Sequence, residues 1–369
     1  MNAQIVVDLG FGDGGKGITT DYLCSKSSNP IVVRFSGGQQ AGHTVVLDGK
    51  KHVHASYGSG TLRGVPSYFS EHCSIFLPTM VEELKLLWGK RVSPILYVHP
   101  LAKVTTPYDV AYNRLKERIL NHGSCGLGIA ATMKRHLETG YKLFAIDLTN
   151  YKLLEQKCVR IKAYYEQRCR QEGLSLDDFF EEYHLNEHVF FDIARRGVPF
   201  VITDYNKLKD FEDIIFEGSQ GVMLDMDHGI FPNVTFANTT SKNAMEIYSK
   251  LLRGLYPNLE VFYVTRCYQT RHGAGWMSNE QQIELINNEG EINVHNEWQK
   301  DFRVGELDYD LLNYAMEVDN LYITPIKRNL VVTCLDQRPD FQFNVSKIEA
   351  HLERVFHSYS PESKDFKIM

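Results

Sequence analysis

The chain has 369 residues, with 40 Lys and Arg against 46 Asp and Glu, for a formal charge of −6. With 23% charged and 43% hydrophobic residues it has the composition of a folded globular protein with a large core. Its mild acidity argues against nucleic-acid or membrane-surface partners, and no apolar run approaches the roughly 20 residues that span a bilayer. The N-terminus lacks the basic start and apolar stretch of a secretion signal. Seven scattered cysteines without a CxxC pair predict reduced thiols in a cytoplasmic protein rather than a disulfide framework or zinc ribbon.

In chain order, residues 4–9 (QIVVDL) form a short apolar run ending in glycines, a buried strand entering a loop. A helix is predicted from Gly17 to Ser25 and a second strand over residues 30–35. This strand–loop–helix–strand opening predicts an α/β fold with a P-loop-like, mostly parallel central sheet flanked by helices. Thr79 three residues before Glu82 reads as a capping box, with Gly89 as the stop. Residues 95–98 read as a strand. Ala111, Leu115 and Ile119 share one helical face before Gly123. Residues 150–196, rich in Tyr, Glu, Lys and Arg, read as a helical insertion within a single domain of residues 1–369. Further strands are predicted at residues 199–202, 214–216, 261–264 and 330–332. The last eight residues are polar, and fraying is expected there.

The loop Gly10-Phe11-Gly12-Asp13-Gly14-Gly15-Lys16-Gly17 fits both GxGxxG and GxxxxGK. Lys16 favours the phosphate-binding reading, because the dinucleotide turn needs no lysine there. Gly17 stands where a P-loop has its Mg²⁺-binding Ser or Thr, and an acid inside the loop, Asp13, implies a cation or a catalytic task. The second strand leads into Arg34-Phe35-Ser36-Gly37-Gly38-Gln39-Gln40-Ala41-Gly42-His43-Thr44. Loops at the carboxyl ends of neighbouring parallel strands share one crevice, so Asp13 and His43 are predicted to face one ligand as base and acid.

These two loops resemble those of the adenylosuccinate synthetases, GDEGKG and RFxGGxNAGHT. Further blocks follow in family order. Residues 122–129 (HGSCGLGI) resemble GTTGRGIG, and residues 216–221 and 224–229 resemble FEGAQG and LDIDHG. Residues 238–240 resemble SNTT, residues 270–275 (TRHGAG) resemble TRVGxG, and residues 333–336 (TCLD) resemble TKLD.

The resemblance implies a ligase that joins L-aspartate to C6 of a 6-oxopurine nucleotide through a 6-phosphoryl intermediate. Asp13 matches the base for N1 and His43 the group at the transferring phosphoryl. Gly12, Gly15, Lys16, Gly17, Gly42, His43 and Thr44 would surround the donor phosphates, with Mg²⁺ held by Asp13 and the Gly42 carbonyl. Asp13, Gln40, Ser124, Cys125, Gln220 and Thr239 would take the acceptor nucleotide. Arg135 is the candidate for the arginine that reaches the acceptor phosphate from a neighbouring subunit, which implies a homodimer. Asp336 would read the donor base. GTP is the donor implied, and the change of the TKLD lysine to Cys334 leaves ATP or dATP open.

Some departures concern the acceptor. The chain is shorter than its relatives, Gly14 replaces the glutamate after Asp13, and the arginine-rich aspartate stretch is absent. Asn296, Gln299, Lys300 and Arg303 remain to grip the dicarboxylate. This pattern is more similar to the branch that includes phage 2-aminoadenylosuccinate synthetases, which would make (d)GMP the acceptor, with IMP as the alternative, in a host cytoplasm if phage-encoded. Gly14 is expected to provide room for the 2-amino group. His52 and His54 are read as exposed histidines, and Asp225, Asp227 and His228 as a structural segment beside the site. Other classes remain. A dinucleotide oxidoreductase would need an acid where Arg34 ends the second strand, and a non-catalytic nucleotide-binding switch would need neither Asp13 nor His43.

Overall fold

The computed structural model describes residues 1–120, 123–177, 180, 187–252, 258–287, 291, 302–323 and 327–369. A ten-stranded sheet forms its centre. From one edge the strands are Lys367–Ile368, Arg354–His357, Lys327–Thr333, Leu259–Arg266, Asn2–Asp8 (β1), Asp213–Gly221, Pro30–Arg34 (β2), Ser67–Phe69, Leu96–Val98 and Val201–Ile202. All neighbours run parallel except the first pair. The mostly parallel α/β sheet expected from the opening residues is therefore present, and its middle strands carry apolar runs because both faces are covered.

Side chains alternate between the two faces. Ala3, Ile5 and Val7 of β1 join Phe216, Tyr263 and Leu330 on one face, beneath helices Lys242–Leu252 and Tyr309–Asp319. Val6 turns the other way, with Val32, Ile215, Phe262 and Leu23 of the helix Lys16–Lys26 (α1). Fully burying one such aliphatic side chain contributes about 1.5–3 kcal/mol. A second core lies under helices Leu77–Gly89, Pro107–Leu120, Tyr151–Gln171 and Glu187–Arg196. Among the described residues, no helix is long and apolar enough to cross a membrane.

Several local expectations need correction. Thr79 caps nothing: its helix starts at Leu77 with Pro78 in the first turn, and the Thr79 hydroxyl donates to the Phe76 carbonyl at 3.0 Å. Gly89 is the last helical residue, and the chain turns at Arg91 with φ +62°. Ala111 and Leu115 are buried, but Ile119, in the last turn of Pro107–Leu120, is 54% exposed.

Arg135 is the largest correction. It lies in the helix Ile129–Glu138 with no accessible surface, so it cannot reach a neighbouring subunit's ligand. Its Nε and Nη2 each sit 2.9 Å from Asp109, Nη2 also donates to the Val104 carbonyl and Nη1 to the Tyr141 carbonyl. Thr106 and the Tyr165 hydroxyl complete the shell around Asp109. Removing one member of such a pair strands the other charge, so Arg135→Met is expected to cost about 3–5 kcal/mol. Urea unfolding measures this, and a loss below 1 kcal/mol would contradict it.

Candidate active site

The site is assembled at the carboxyl ends of the central strands, where a parallel sheet opens its crevice. After β1 the loop passes through Gly12 (φ +104°), Asp13 (φ +60°) and Gly15 (φ +105°) before α1 begins. Neighbouring strand ends hold this unusual backbone. Arg266 Nε donates to the Asp13 carbonyl at 2.6 Å, and the Thr333 hydroxyl donates to the Gly14 carbonyl at 2.9 Å.

Gly17 has a steric reason. A Cβ on it would lie 2.9 Å from His43 Cβ and 3.2 Å from the Thr44 carbonyl oxygen. The Ser or Thr of an ordinary P-loop is excluded because α1 packs directly on the start of the hairpin His43–Leu47 (β3) and Lys50–His54 (β4).

Lys16 departs from the sequence expectation. It is buried, and its ammonium pairs with Asp8 at 2.8 Å instead of facing open space above the loop.

His43 and Glu217 form a buried pair. Glu217 Oε1 lies 2.7 Å from His43 Nδ1. The same carboxylate accepts from the Ser59 hydroxyl and, at 3.2 Å, the Ser59 amide, with Arg34 Nε at 4.0 Å. Burial would raise the Glu217 carboxyl, but His43 and Arg34 outweigh it and hold it at about 2. Burial also pushes the His43 imidazole below its ordinary value, against the pull of Glu217. A ring whose Nδ1 is tied to a carboxylate presents Nε2 in a set direction, and here Nε2 is buried in the cavity wall without a partner among the described residues.

Asp13 faces the same cavity. His272 Nε2 lies 3.3 Å from its Oδ2. Burial would raise Asp13, yet the His272 hydrogen bond and the Arg266, His272 and Lys16 charges bring it down to about 2.

The cavity has a volume of about 690 Å³, enough for a nucleotide. Its wall includes Gly12, Asp13, Gln40, Gly42, His43, Ser124, Cys125 and Gln220. The structure thus brings both loops, residues 123–125 and the end of the Asp213–Gly221 strand to one chamber. Glu217, His272, Arg271 and Lys134 were not assigned roles from sequence, although the first three lie in motifs that marked the region. Arg271 is buried over the Phe11 ring at 4.4 Å and donates to the carbonyls of Trp276 and Asn233.

Other expected residues lie elsewhere. Thr239 is buried outside the cavity wall; its hydroxyl donates to the Gly221 carbonyl at 3.0 Å and its amide to Asp225. Asp225 also accepts from the Asp227 and His228 amides, the structural role expected of that segment. Arg303 is committed to Glu280 at 2.7 Å and the Gly275 carbonyl at 2.8 Å. Asn296, Gln299 and Lys300 lie outside the described residues, as does His122. Asp336 is partly buried three residues beyond Thr333, whose hydroxyl touches the glycine loop.

Gly14 does not open the acceptor pocket, because a Cβ there would point at Asp8. His52 and His54 are buried rather than exposed, beside Glu83. Glu83 accepts from the Ala55 and Ser56 amides, and Lys90 donates to His52 Nδ1 at 2.9 Å. That cation and those amides already satisfy the acid and one ring.

A phosphate-type glycine loop, an ionised carboxylate and a carboxylate-oriented histidine around one chamber define a nucleotide-dependent enzyme. The sequence profile of the adenylosuccinate synthetase family matches residues 5–341. The chain belongs to that family and is a ligase that forms C–N bonds. The adenylosuccinate synthetase of Mesoplasma florum is 29% identical over 343 residues, covering 88% of this chain and 76% of the relative. That of Clostridium beijerinckii is 31% identical over 293 residues, covering 74% and 65%. Two solved structures share the fold across the whole chain. Fully ligated adenylosuccinate synthetase from Plasmodium falciparum has a TM-score of 0.67 at 20% identity, with 87% of its own chain covered. The succinoaminodeoxyadenylate synthetase of cyanophage S-2L, bound to dGMP and dATP as an energy donor, has a TM-score of 0.69 at 17% identity, with 95% covered.

Glu217→Gln removes the charge that orients His43 and favours its protonated ring. Its kcat for nucleoside-diphosphate release is expected to fall about 100-fold or more, with acceptor KM changed little. A kcat within threefold of the wild type would show that the pair is structural.

Proposed function

We propose that this ligase joins L-aspartate to C6 of a guanine mononucleotide, dGMP or GMP, making the 2-amino counterpart of (deoxy)adenylosuccinate. The observation that carries this reading is the pair of buried amide oxygens in the cavity wall, Gln40 Oε1 and Gln220 Oε1, which have no hydrogen-bond partner among the described residues. Guanine offers a 2-amino donor beyond its N1–H, and hypoxanthine does not. With hypoxanthine bound, an acceptor left unpaired in the closed site costs about 1–3 kcal/mol. Gln40 also replaces the asparagine of the family loop and reaches one methylene further. The dGMP bound by the cyanophage relative agrees with this choice. The alternative is an ordinary adenylosuccinate synthetase acting on IMP, which the names of the sequence relatives favour.

In this reading Asp13 accepts the N1 proton as O6 attacks the γ-phosphorus of the donor and the nucleoside diphosphate leaves. A carboxylate brought down by the His272 hydrogen bond and the Arg266 charge is a weak base, and proton transfer in step with O6–P bond formation suits it. His43 Nε2 stabilises the transferring phosphoryl. The aspartate amine then attacks C6, and phosphate departs with the electrons of the C6–O bond. An ionised Asp13 beside the exposed Gly42 backbone fits Mg²⁺, which is commonly held by one carboxylate plus substrate phosphates. When bound, the ion would neutralise donor charge. GTP, ATP or dATP would serve as donor, with its base near Asp336 and its phosphates over the loop amides of Gly15 and Gly17. Asn296, Gln299 and Lys300 would hold the aspartate carboxylates, in a homodimer of the family type. With Arg135 buried, we assign the acceptor phosphate to Lys134, whose ammonium sits 4.9 Å above the Phe236 ring in the cavity wall.

Nucleoside-diphosphate release with L-aspartate and Mg²⁺, crossing dGMP, GMP and IMP with GTP, ATP and dATP, tests the proposal directly. A mass-identified aspartate adduct of dGMP or GMP is expected; turnover of IMP alone would overturn it. Lys134→Ala is expected to raise acceptor KM about tenfold, equivalent to ~1.4 kcal/mol, with a smaller effect on kcat. An unchanged acceptor KM would remove Lys134 from the phosphate site.

A further inference from the structure

The acid that ends β1 has no part in the chemistry above. Asp8 is 1% exposed, and its oxygens take three donors. Oδ1 accepts from the Gly10 amide at 2.9 Å, while Oδ2 accepts from the Gly14 amide at 2.7 Å and from Lys16 Nζ at 2.8 Å. A buried carboxylate shared by a buried ammonium and two amides is satisfied as a set, whereas either charge alone would be stranded. The two amides that bind Asp8 turn toward the protein interior, which decides the path of the loop between them.

The same carboxylate fills the space beside residue 14. A Cβ there would lie 2.8 Å from Asp8 Oδ2, 3.0 Å from Cγ and 3.1 Å from Oδ1. Gly14 is not among the positive-φ residues, so its backbone conformation would tolerate a side chain. The exclusion is steric, and the three nearest atoms to such a Cβ all belong to Asp8. The adenylosuccinate synthetase loop GDEGKG carries an acid on this residue. Here the acid arrives from the strand six residues earlier and meets the loop lysine from below.

We propose that Asp8 is a positioning residue of the donor-phosphate loop, and that positions 8 and 14 are mutually exclusive seats for one acid that holds Lys16 and the loop amides. The inference rests on the donor-site reading of this loop and adds what shapes it. Lys16, pinned under the loop, braces it from below. The groups left to meet donor phosphates are the backbone amides at the start of α1.

An acid exchange tests this. Wild type, Gly14→Glu, Asp8→Ala and the double variant are compared for Tm and for binding of non-hydrolysable GTP and ATP analogues with Mg²⁺. Each single substitution is expected to lower the Tm and weaken analogue binding about tenfold, and the double variant to recover most of both. A double variant no better than the worse single one overturns the shared seat. Asp8→Asn keeps the shape and removes only the charge. It is expected to fold, to bind the donor analogue about tenfold more weakly, and to bind dGMP and IMP within twofold of wild type. Unchanged or tighter donor binding by Asp8→Asn overturns the positioning role. If the wild type binds neither analogue, the donor-site reading falls and the positioning role with it, while Tm recovery in the double variant still decides the shared seat.

Discussion

The buried carboxylate of Glu217 is the point on which the site depends. It sits within the strand Asp213–Gly221, next to β1 on one side and β2 on the other, so the sheet's own register sets its position. From there it ties down His43 at the start of β3, Ser59 beyond β4 and Arg34 at the end of β2. A charge with no access to water is tolerable only when each oxygen is paired. That requirement draws three separate chain segments to one place and leaves His43 Nε2 turned into the chamber.

Around that centre the loops are shaped by close approach rather than by their own preference. Gly17 admits the hairpin, Gly15 leaves room for Thr333, and Gly14 leaves room for Asp8. The glycine loop is therefore as much a packing surface as a phosphate cradle. Its Asp13 and Gly14 carbonyls are held by donors from the ends of Leu259–Arg266 and Lys327–Thr333. The chamber is completed by Lys134 of the helix Ile129–Glu138 and by Ser124 and Cys125 of the loop that leads into it.

Much of this was legible in the residues. The apolar runs that became the middle strands are read correctly because strands covered on both faces carry an uninterrupted signal. The short strands Ser67–Phe69 and Arg354–His357 carry too few residues for a pattern. Helices Lys242–Leu252 and Tyr309–Asp319 did show one. Ala244, Ile247, Tyr248 and Leu251 follow helical spacing, and Asp308 caps the later helix by accepting from the Asp310 and Leu311 amides. Arg135 and Thr239 were expected at a ligand and His52 in solvent, and all three were misplaced for a shared reason. Each is a polar residue whose long-range partner the sequence does not show, and Asp109, Asp225 and Glu83 are those partners.

The sequence alone determined the class of fold, the order of its motif blocks and the presence of Asp13 and His43, because each is carried by local composition and spacing. Only the tertiary structure decided which charges are free to act. Lys16, Arg135 and Arg303 look alike as cations in a string of letters. Asp8, Asp109 and Glu280 claim them through contacts 8, 26 and 23 residues apart. Whether a cation meets a ligand or a carboxylate of the protein depends on what the folded chain places within hydrogen-bond reach, and no local pattern encodes that distance.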